Sequence, residues 1–443
     1  MRNRGSFSQT ATHNSLSLLV ALSVSLRIPV CSRSVRCRDL AISSKPYAWV
    51  NQFEISHFFM TLLLNAQNVC LYLVKQGFCT PENQDKLEIK LLAAKNFNLL
   101  VSFPDGGKLL VKQERHNQEG KTAGEFLSEV RVQKFLEFPK LDDLRRFLPS
   151  VRHFDLEHSI IIFNYLDNYR DLADFYGKEN TFPTPHASSI GTILATVHRT
   201  TFKQQEYQDF FSENTEEKLL DVPSFIHSLE RITPEIFGIV PADGLKFFAL
   251  YQRYDSLGQA MAELGKAFKP CCLTHNDLKL NNILLQTDWE HSSDSIVRLI
   301  DWERSAWGDP AFDLGMLIAS YLQIWLSSLV ISQALSIEES LRLANTPLEK
   351  IQPAIAALSL AYLDVFPEII QERPDFWQRV VQFAGLALIQ QIQAMIQYQK
   401  SFGNTGICLL QVAKTLLCRP EQSMQTVFGT AAAGLIRHTY SAV

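Results

Sequence analysis

The segment Leu273-Thr-His-Asn-Asp-Leu-Lys-Leu-Asn-Asn-Ile-Leu-Leu285 carries His275, Asp277 and Asn282 in the order H-x-D-x-x-x-x-N, with an apolar, strand-like run directly after the asparagine. A second block, Val297-Arg-Leu-Ile-Asp-Trp-Glu303, ends an apolar strand on Asp301, 24 positions beyond Asp277. A third, Trp307-Gly-Asp-Pro-Ala-Phe-Asp-Leu-Gly315, follows at once. One carboxylate to orient and deprotonate a hydroxyl, with an amide and a second carboxylate to hold magnesium on phosphates, is the set of groups that phosphoryl transfer needs. Taken singly, each is bland: an Asp near a His is commonly a turn or cap residue, and Asn or Asp readily bonds its own backbone. The three blocks in one order carry the reading.

The elements that must position these groups change character along the chain. Leu87–Leu92, Asn98–Phe103 and Leu109–Gln113 read as extended, and Pro104-Asp-Gly-Gly107 between the last two is a hairpin turn. A helix is expected over Gly124–Phe138 and a short β-branched strand over Ser159–Phe163. Beyond these the pattern is mostly helical, over Ile190–His198, Ala242–Ala267, Leu314–Leu335, Leu348–Phe366 and Phe376–Lys400. A small sheet with one helix, then a larger helical part, is an α+β arrangement with its elements segregated. Glutamines 382, 390, 391, 393, 397 and 399 are expected to form a solvated or neighbour-contacting face on the last helix.

Of the 443 residues 46% are hydrophobic and 20% charged, a globular balance that excludes collagen-like, coiled-coil and wholly disordered chains. Residues 60–443 carry 35 basic against 44 acidic side chains, a poor surface for nucleic acid. Eight cysteines without a C-x-x-C or paired zinc spacing suggest neither a disulfide framework nor a metal knuckle, and a cytoplasmic setting is the simplest. Residues 1–59 stand apart: six arginines and many serines precede or flank an apolar run at Leu16–Leu26, and no acid occurs before Asp39. A secretory signal, an organellar transit peptide, an ordered extension and translation starting at Met60 all remain open for it. The uncharged stretch Leu314–Ile337 reaches the length of a membrane span but holds serines and glutamines, so a buried core helix is expected and no membrane association.

These residues resemble the protein-kinase-like superfamily, and within it the aminoglycoside phosphotransferase and choline kinase branch, over roughly residues 87–320. The resemblance implies a bilobal fold: a β-rich N-lobe with one main helix over 60–165, and a mostly helical C-lobe over 166–443. It implies ATP, with GTP not excluded, and magnesium as cofactors, and a small hydroxylated molecule as partner. Asp277 would be the base, Asn282 and Asp301 the metal ligands, and Lys279 a group able to reach the transferred phosphate. His275 and Asp313 would be architectural, Asp313 tying down the catalytic loop, and His198 likewise. Lys112 takes the place of the lysine on the α- and β-phosphates; Glu125 or Glu129 would fix it, with Glu129 preferred. Backbone groups of Asn164, Tyr165 and Leu166 would hold adenine. Glu303 is a further metal-shell or substrate candidate, and Asp309 recurs in the resembled family.

Two departures matter. The phosphate-covering turn between Leu92 and Asn98 contains no glycine, which removes the usual means of close backbone approach to phosphates. Only twelve residues run from Asp301 to Asp313, too few for a segment that cradles a peptide. That favours a small acceptor over the alternatives of a protein kinase and a nucleotide-binding scaffold without turnover. Tyr321, Trp325, Glu338, Glu339, Asp364 and Asp375 are available to an acceptor, and carboxylates with aromatics would suit a cationic amine.

Overall fold

Leu109, Val111 and Gln113 are buried while Leu110 and Lys112 between them are not, the alternation of a strand whose side chains leave on opposite faces. The computed structural model describes residues 62–92, 94–117, 120–212, 222–233, 240–292, 295–332 and 334–435, and places this strand at the centre of an antiparallel sheet. Strands β1 (Glu88–Leu92), β2 (Phe97–Ser102), β3 (Lys108–Gln113), β4 (Val151–Asp155) and β5 (Ile160–Asn164) lie in the order β1-β2-β3-β5-β4. The expected hairpin joins β2 to β3, and the register sets Lys112 between Asn98 and Ile161. The extension at 1–59, the start at Met60, Ala93 of the glycine-free turn and the side chain of Glu338 lie outside the described residues.

One face of this sheet buries Leu99, Val101, Leu109, Val111, Ile160 and Ile162 under α1 (Val69–Lys75), a helix the sequence reading did not foresee. Gln113 ties the entering chain to it: Nε2 donates to the Leu62 and His158 carbonyls at 2.6 and 2.9 Å, and Oε1 accepts from the Leu64 N–H at 2.8 Å. The other face packs Ile161 and Phe163 against Phe126 of α2 (Glu125–Phe135) and carries Lys112.

After β5 the chain becomes helical: α3 (Leu172–Glu179), α4 (Thr184–Thr201), α5 (Gln205–Ser212), α6 (Val222–Glu230), α7 (Ala242–Tyr251) and α8 (Asp255–Ala267). The single helix expected over 242–267 is thus two, broken at Gln252–Tyr254. Then come α9 (Pro310–Ser327), α10 (Ile337–Arg342), α11 (Leu348–Val365), α12 (Glu368–Glu372), α13 (Phe376–Gln399), α14 (Asn404–Cys418) and α15 (Pro420–Phe428). The uncharged run therefore starts inside a helix capped by Asp309, whose Oδ1 accepts from the Ala311 N–H at 3.0 Å, and leaves it at Ser328. Its helical part is largely core to Leu326, as expected, while Ser327, Val330, Ser332 and Ala334 beyond it are exposed. Among the described residues α13 alone is long and apolar enough to cross a membrane, and 67% of its apolar window is buried inside the fold. Gln382 on α13 is buried, its amide donating to the Leu417 carbonyl at 3.1 Å, so part of the glutamine face contacts a neighbour. Where α4 crosses α11, a Cβ on Gly191 would lie 2.2 Å from the Leu358 carbonyl oxygen, so only glycine permits this approach.

Two small sheets frame the chemistry. Strands β6 (Tyr169–Asp171), β8 (Ile283–Gln286) and β9 (Val297–Leu299) form one, and β7 (Cys272–Thr274) pairs with β10 (Ala306–Gly308) in the other. The loop between β7 and β8 carries His275, Asp277 and Asn282, and the β8–β9 hairpin returns the chain at Asp301 beside it. The six described cysteines are free thiols.

Candidate active site

The β7–β8 loop is built from the inside out. Asp313, fully buried on the first turn of α9, accepts the His275 N–H at 2.7 Å and the His198 Nε2 contact at 3.2 Å on Oδ2, and the Asn276 N–H at 2.8 Å on Oδ1. Asn276 sits at φ 61°, a left-handed conformation that asparagine tolerates, and its side chain donates to the Arg304 carbonyl at 3.1 Å. His275 bonds the Ile300 carbonyl through Nε2 at 2.9 Å, and its Nδ1 accepts the Asp277 N–H at 3.3 Å. Both ring nitrogens are thereby committed. The Ile300 N–H in turn donates to the Asn282 carbonyl at 3.0 Å. These bonds fasten the residue before Asp301 to both ends of the loop, which brings Asp277, Asn282 and Asp301 together.

Asp277 is buried beside two cations, Lys279 Nζ at 3.0 Å and Arg304 Nη1 at 3.7 Å. Burial alone would push its carboxyl up, but Arg304 and Lys279 outweigh it and hold the group below the usual carboxylate range. It is therefore ionised at neutral pH. The Asn282 amide nitrogen donates to the Asp277 carbonyl at 2.8 Å and to its Oδ2 at 3.3 Å, which leaves Oδ1 as the asparagine's ligand atom. Asp301, itself at φ 62°, pairs with Lys112 at 2.5 Å. Burial works against both charges. Lys112 nevertheless keeps the Asp301 carboxyl low, while Asp301, Glu129 and Glu303 keep the lysine high. An amide oxygen and carboxylates form an all-oxygen donor set that suits a hard divalent cation such as magnesium.

Lys112 also lies 5.4 Å from the Phe163 ring centroid. Its ion partner is Asp301 rather than either expected glutamate. Glu129 is buried near it with Oε1 unpartnered, and burial first, then Asp301 and Glu303, push its carboxyl up to about 8. Glu125 instead meets Lys95 of the β1–β2 turn, and Lys95 also lies 3.6 Å from Glu303. The start of α2 is held by Glu114, whose Oε1 accepts the Glu125 N–H at 2.7 Å. Glu303, enclosed with Glu125 and Asp301, is pushed up to about 7.

The Glu129 environment has a measurable sign. The folded protein retains a proton there that an unfolded chain loses above about pH 4.5, so its burial costs stability progressively as pH rises to about 8. Glu129→Gln is expected to melt higher than the wild type at pH 8 and level with it near pH 4. A lower melting temperature at pH 8 would show that ionised Glu129 and Lys112 attract each other strongly enough to reverse the balance.

At the strand exit the Tyr165 N–H is spent on the Lys108 carbonyl at 3.0 Å, and the Leu166 carbonyl accepts the Tyr169 N–H at 3.2 Å. Of the Asn164–Leu166 stretch, the Leu166 N–H is the backbone donor for which no backbone acceptor is found among the described residues. The acceptor candidates fare less evenly. Tyr321 is a fully buried core residue bonded to the Tyr176 hydroxyl at 3.1 Å, so it lines no pocket. Asp375 pairs with Arg379 at 2.6 Å, and Glu339 closes a capping box with Ser336. Trp325 is half-buried against the core and Asp364 is exposed. Asp309 holds a buried ion pair with Arg373 at 2.5 Å, a partner that no spacing announced. Arg304 was also missed, although its place directly after Asp301-Trp-Glu303 is a readable signal.

A family model described as the phosphotransferase enzyme family matches residues 98–337, more than half of the chain. The chain belongs to the phosphotransferase enzyme family. No curated protein sequence matches this phosphotransferase. Among solved structures it is similar in fold to an ethanolamine kinase from Plasmodium vivax, at 15% identity and TM-score 0.48, covering 80% of this chain and 90% of that one. A choline/ethanolamine kinase family protein from Mesorhizobium loti gives 14% identity and TM-score 0.43, covering 84% and 99%. A macrolide 2'-phosphotransferase from Brachybacterium faecium gives 14% and 0.38, covering 80% and 99%. The matched region of the phosphotransferase begins at Asn98, beside Lys112 in the sheet, and passes Asp313, so it spans every group gathered around Asp277.

Proposed function

We propose that this phosphotransferase moves the γ-phosphoryl group of ATP to a hydroxyl of a small molecule, with magnesium. The observation that carries the acceptor class is the path from Asp301 to Asp313. It is a single turn at Trp302–Arg304, then β10 locked onto β7, then α9. No length is left there to hold a peptide extended beside Asp277.

In this reading Asp277 orients the acceptor hydroxyl and takes its proton as the new bond forms. Lys279 and Arg304 keep that carboxylate ionised and lie where charge moves during transfer. Lys112 holds the phosphates from the sheet side, and Asn282 Oδ1 and Asp301 are the ligands available to the metal. Magnesium held by Asn282 and Asp301 would supply positive charge to offset that of the phosphates. The pairing of Lys112 with Asp301 supports the assignment, since a cation for phosphates and a ligand for metal must meet at one point.

The test is ADP release with and without magnesium against amino alcohols, amino sugars, aminoglycosides and casein. Weak hydrolysis alone, stimulation by a hydroxylated small molecule and no transfer to casein are expected. Asp277-dependent phosphorylation of casein would replace the small acceptor with a protein, and nucleotide binding without any turnover would make the chain a scaffold.

A further inference from the structure

The β1–β2 turn lacks glycine, so its backbone is poorly suited to wrap a phosphate, but its tip carries Lys95. That ammonium is pinned between Glu125, on the first turn of α2, and Glu303, two residues beyond Asp301. It thus reaches from the sheet to the metal loop while its side chain stays 34% exposed. A lysine that only decorated a turn would point into solvent. This one is held beside the loop that carries Asp301, the partner of Lys112, by carboxylates from two separate parts of the chain.

We propose that Lys95 is a phosphate-binding residue: its ammonium replaces the amide cradle that the turn cannot form, and Glu125 and Glu303 hold it ready in the nucleotide-free protein. A lysine can do this as a point charge without close backbone approach. Glu125, one turn before Glu129, then serves a second lysine rather than Lys112. The inference rests on the nucleotide reading above and adds a positioning group to it.

Binding of MgATP and of adenosine to the full chain, measured by titration calorimetry, separates the possibilities. Lys95→Ala is expected to weaken MgATP about tenfold or more, the loss typical of one charged contact, and to leave adenosine unchanged. Lys95→Arg should recover much of the loss. Unchanged MgATP affinity in Lys95→Ala, or an equal fall for adenosine, overturns the assignment. Wild-type protein that binds no MgATP at all would instead sink the nucleotide reading, and this inference with it. Glu125→Gln, which keeps the shape and removes the charge, should speed amide exchange over residues 94–97 in nucleotide-free protein. Unaltered exchange there would refute the tether.

Discussion

Asp277→Asn is expected to lower phosphoryl transfer by about 10²–10⁴ while leaving the melting temperature close to that of the wild type. The loss follows from removing the only carboxylate that the β7–β8 loop presents to an acceptor, and general-base removal typically has this size. The fold should survive because Asp277 is anchored through its backbone: its N–H goes to His275 and its carbonyl accepts from Asn282. An amide of the same shape keeps both bonds. Lys279 and Arg304 lose a counterion but are partly exposed, at 41% and 33%, so solvent compensates them. Steady-state ADP release with a competent acceptor, paired with a thermal melt, checks both halves. Near-wild-type turnover would mean that another group takes the proton.

Asp313→Ala should show the opposite pattern, with loss of fold as well as activity. Its carboxylate accepts the backbone N–H groups of His275 and Asn276 and the His198 ring contact, all of them buried. Truncation leaves these groups without an acceptor and without water, at about 1–3 kcal/mol for each unsatisfied group. A total of several kcal/mol is a large share of the roughly 5–15 kcal/mol that holds a protein together. The expected result is poor recovery of folded protein, or a melt many degrees lower by circular dichroism. A variant that melts like the wild type but fails to turn over would move Asp313 from architecture into the chemistry.

The two aspartates differed in how far the sequence alone could point to them. Asp313 is identified by the resemblance alone, since the expected helix begins after it at Leu314 and the structure starts that helix at Pro310, whereas Asp277 is marked by its distance from His275 and Asn282. The hairpin was equally plain, since Asp-Gly-Gly between apolar runs dictates its own geometry. What escaped was contact between residues far apart in the chain. Lys112 meets Asp301 across 189 positions and Lys95 meets Glu125 across 30, and nothing local to either lysine reports it. The preference for Glu129 as the partner of Lys112 rested on analogy of position; the lysine pairs with Asp301 instead. Helix α1 was missed because a seven-residue apolar segment is not self-evidently a helix; it becomes one by covering the back of the sheet. Tyr321 was offered as a pocket residue because sequence shows a tyrosine's chemistry but not that its hydroxyl is answered by Tyr176.

The buried relay behind the β7–β8 loop bears on how such a phosphotransferase can be redesigned. Tyr362 on α11 meets His198 on α4 at 2.9 Å, and His198 meets Asp313 at 3.2 Å, so the loop is braced by helices rather than by its own sequence. The brace enters from the interior, where all three side chains are fully buried, and does not draw on the outward positions of α11 and α13. A mutational library confined to those outward positions is therefore expected to leave the loop in place. A library that touches Tyr362, His198 or Gly191 would instead fill with unfolded members, whatever acceptor it was meant to recognise.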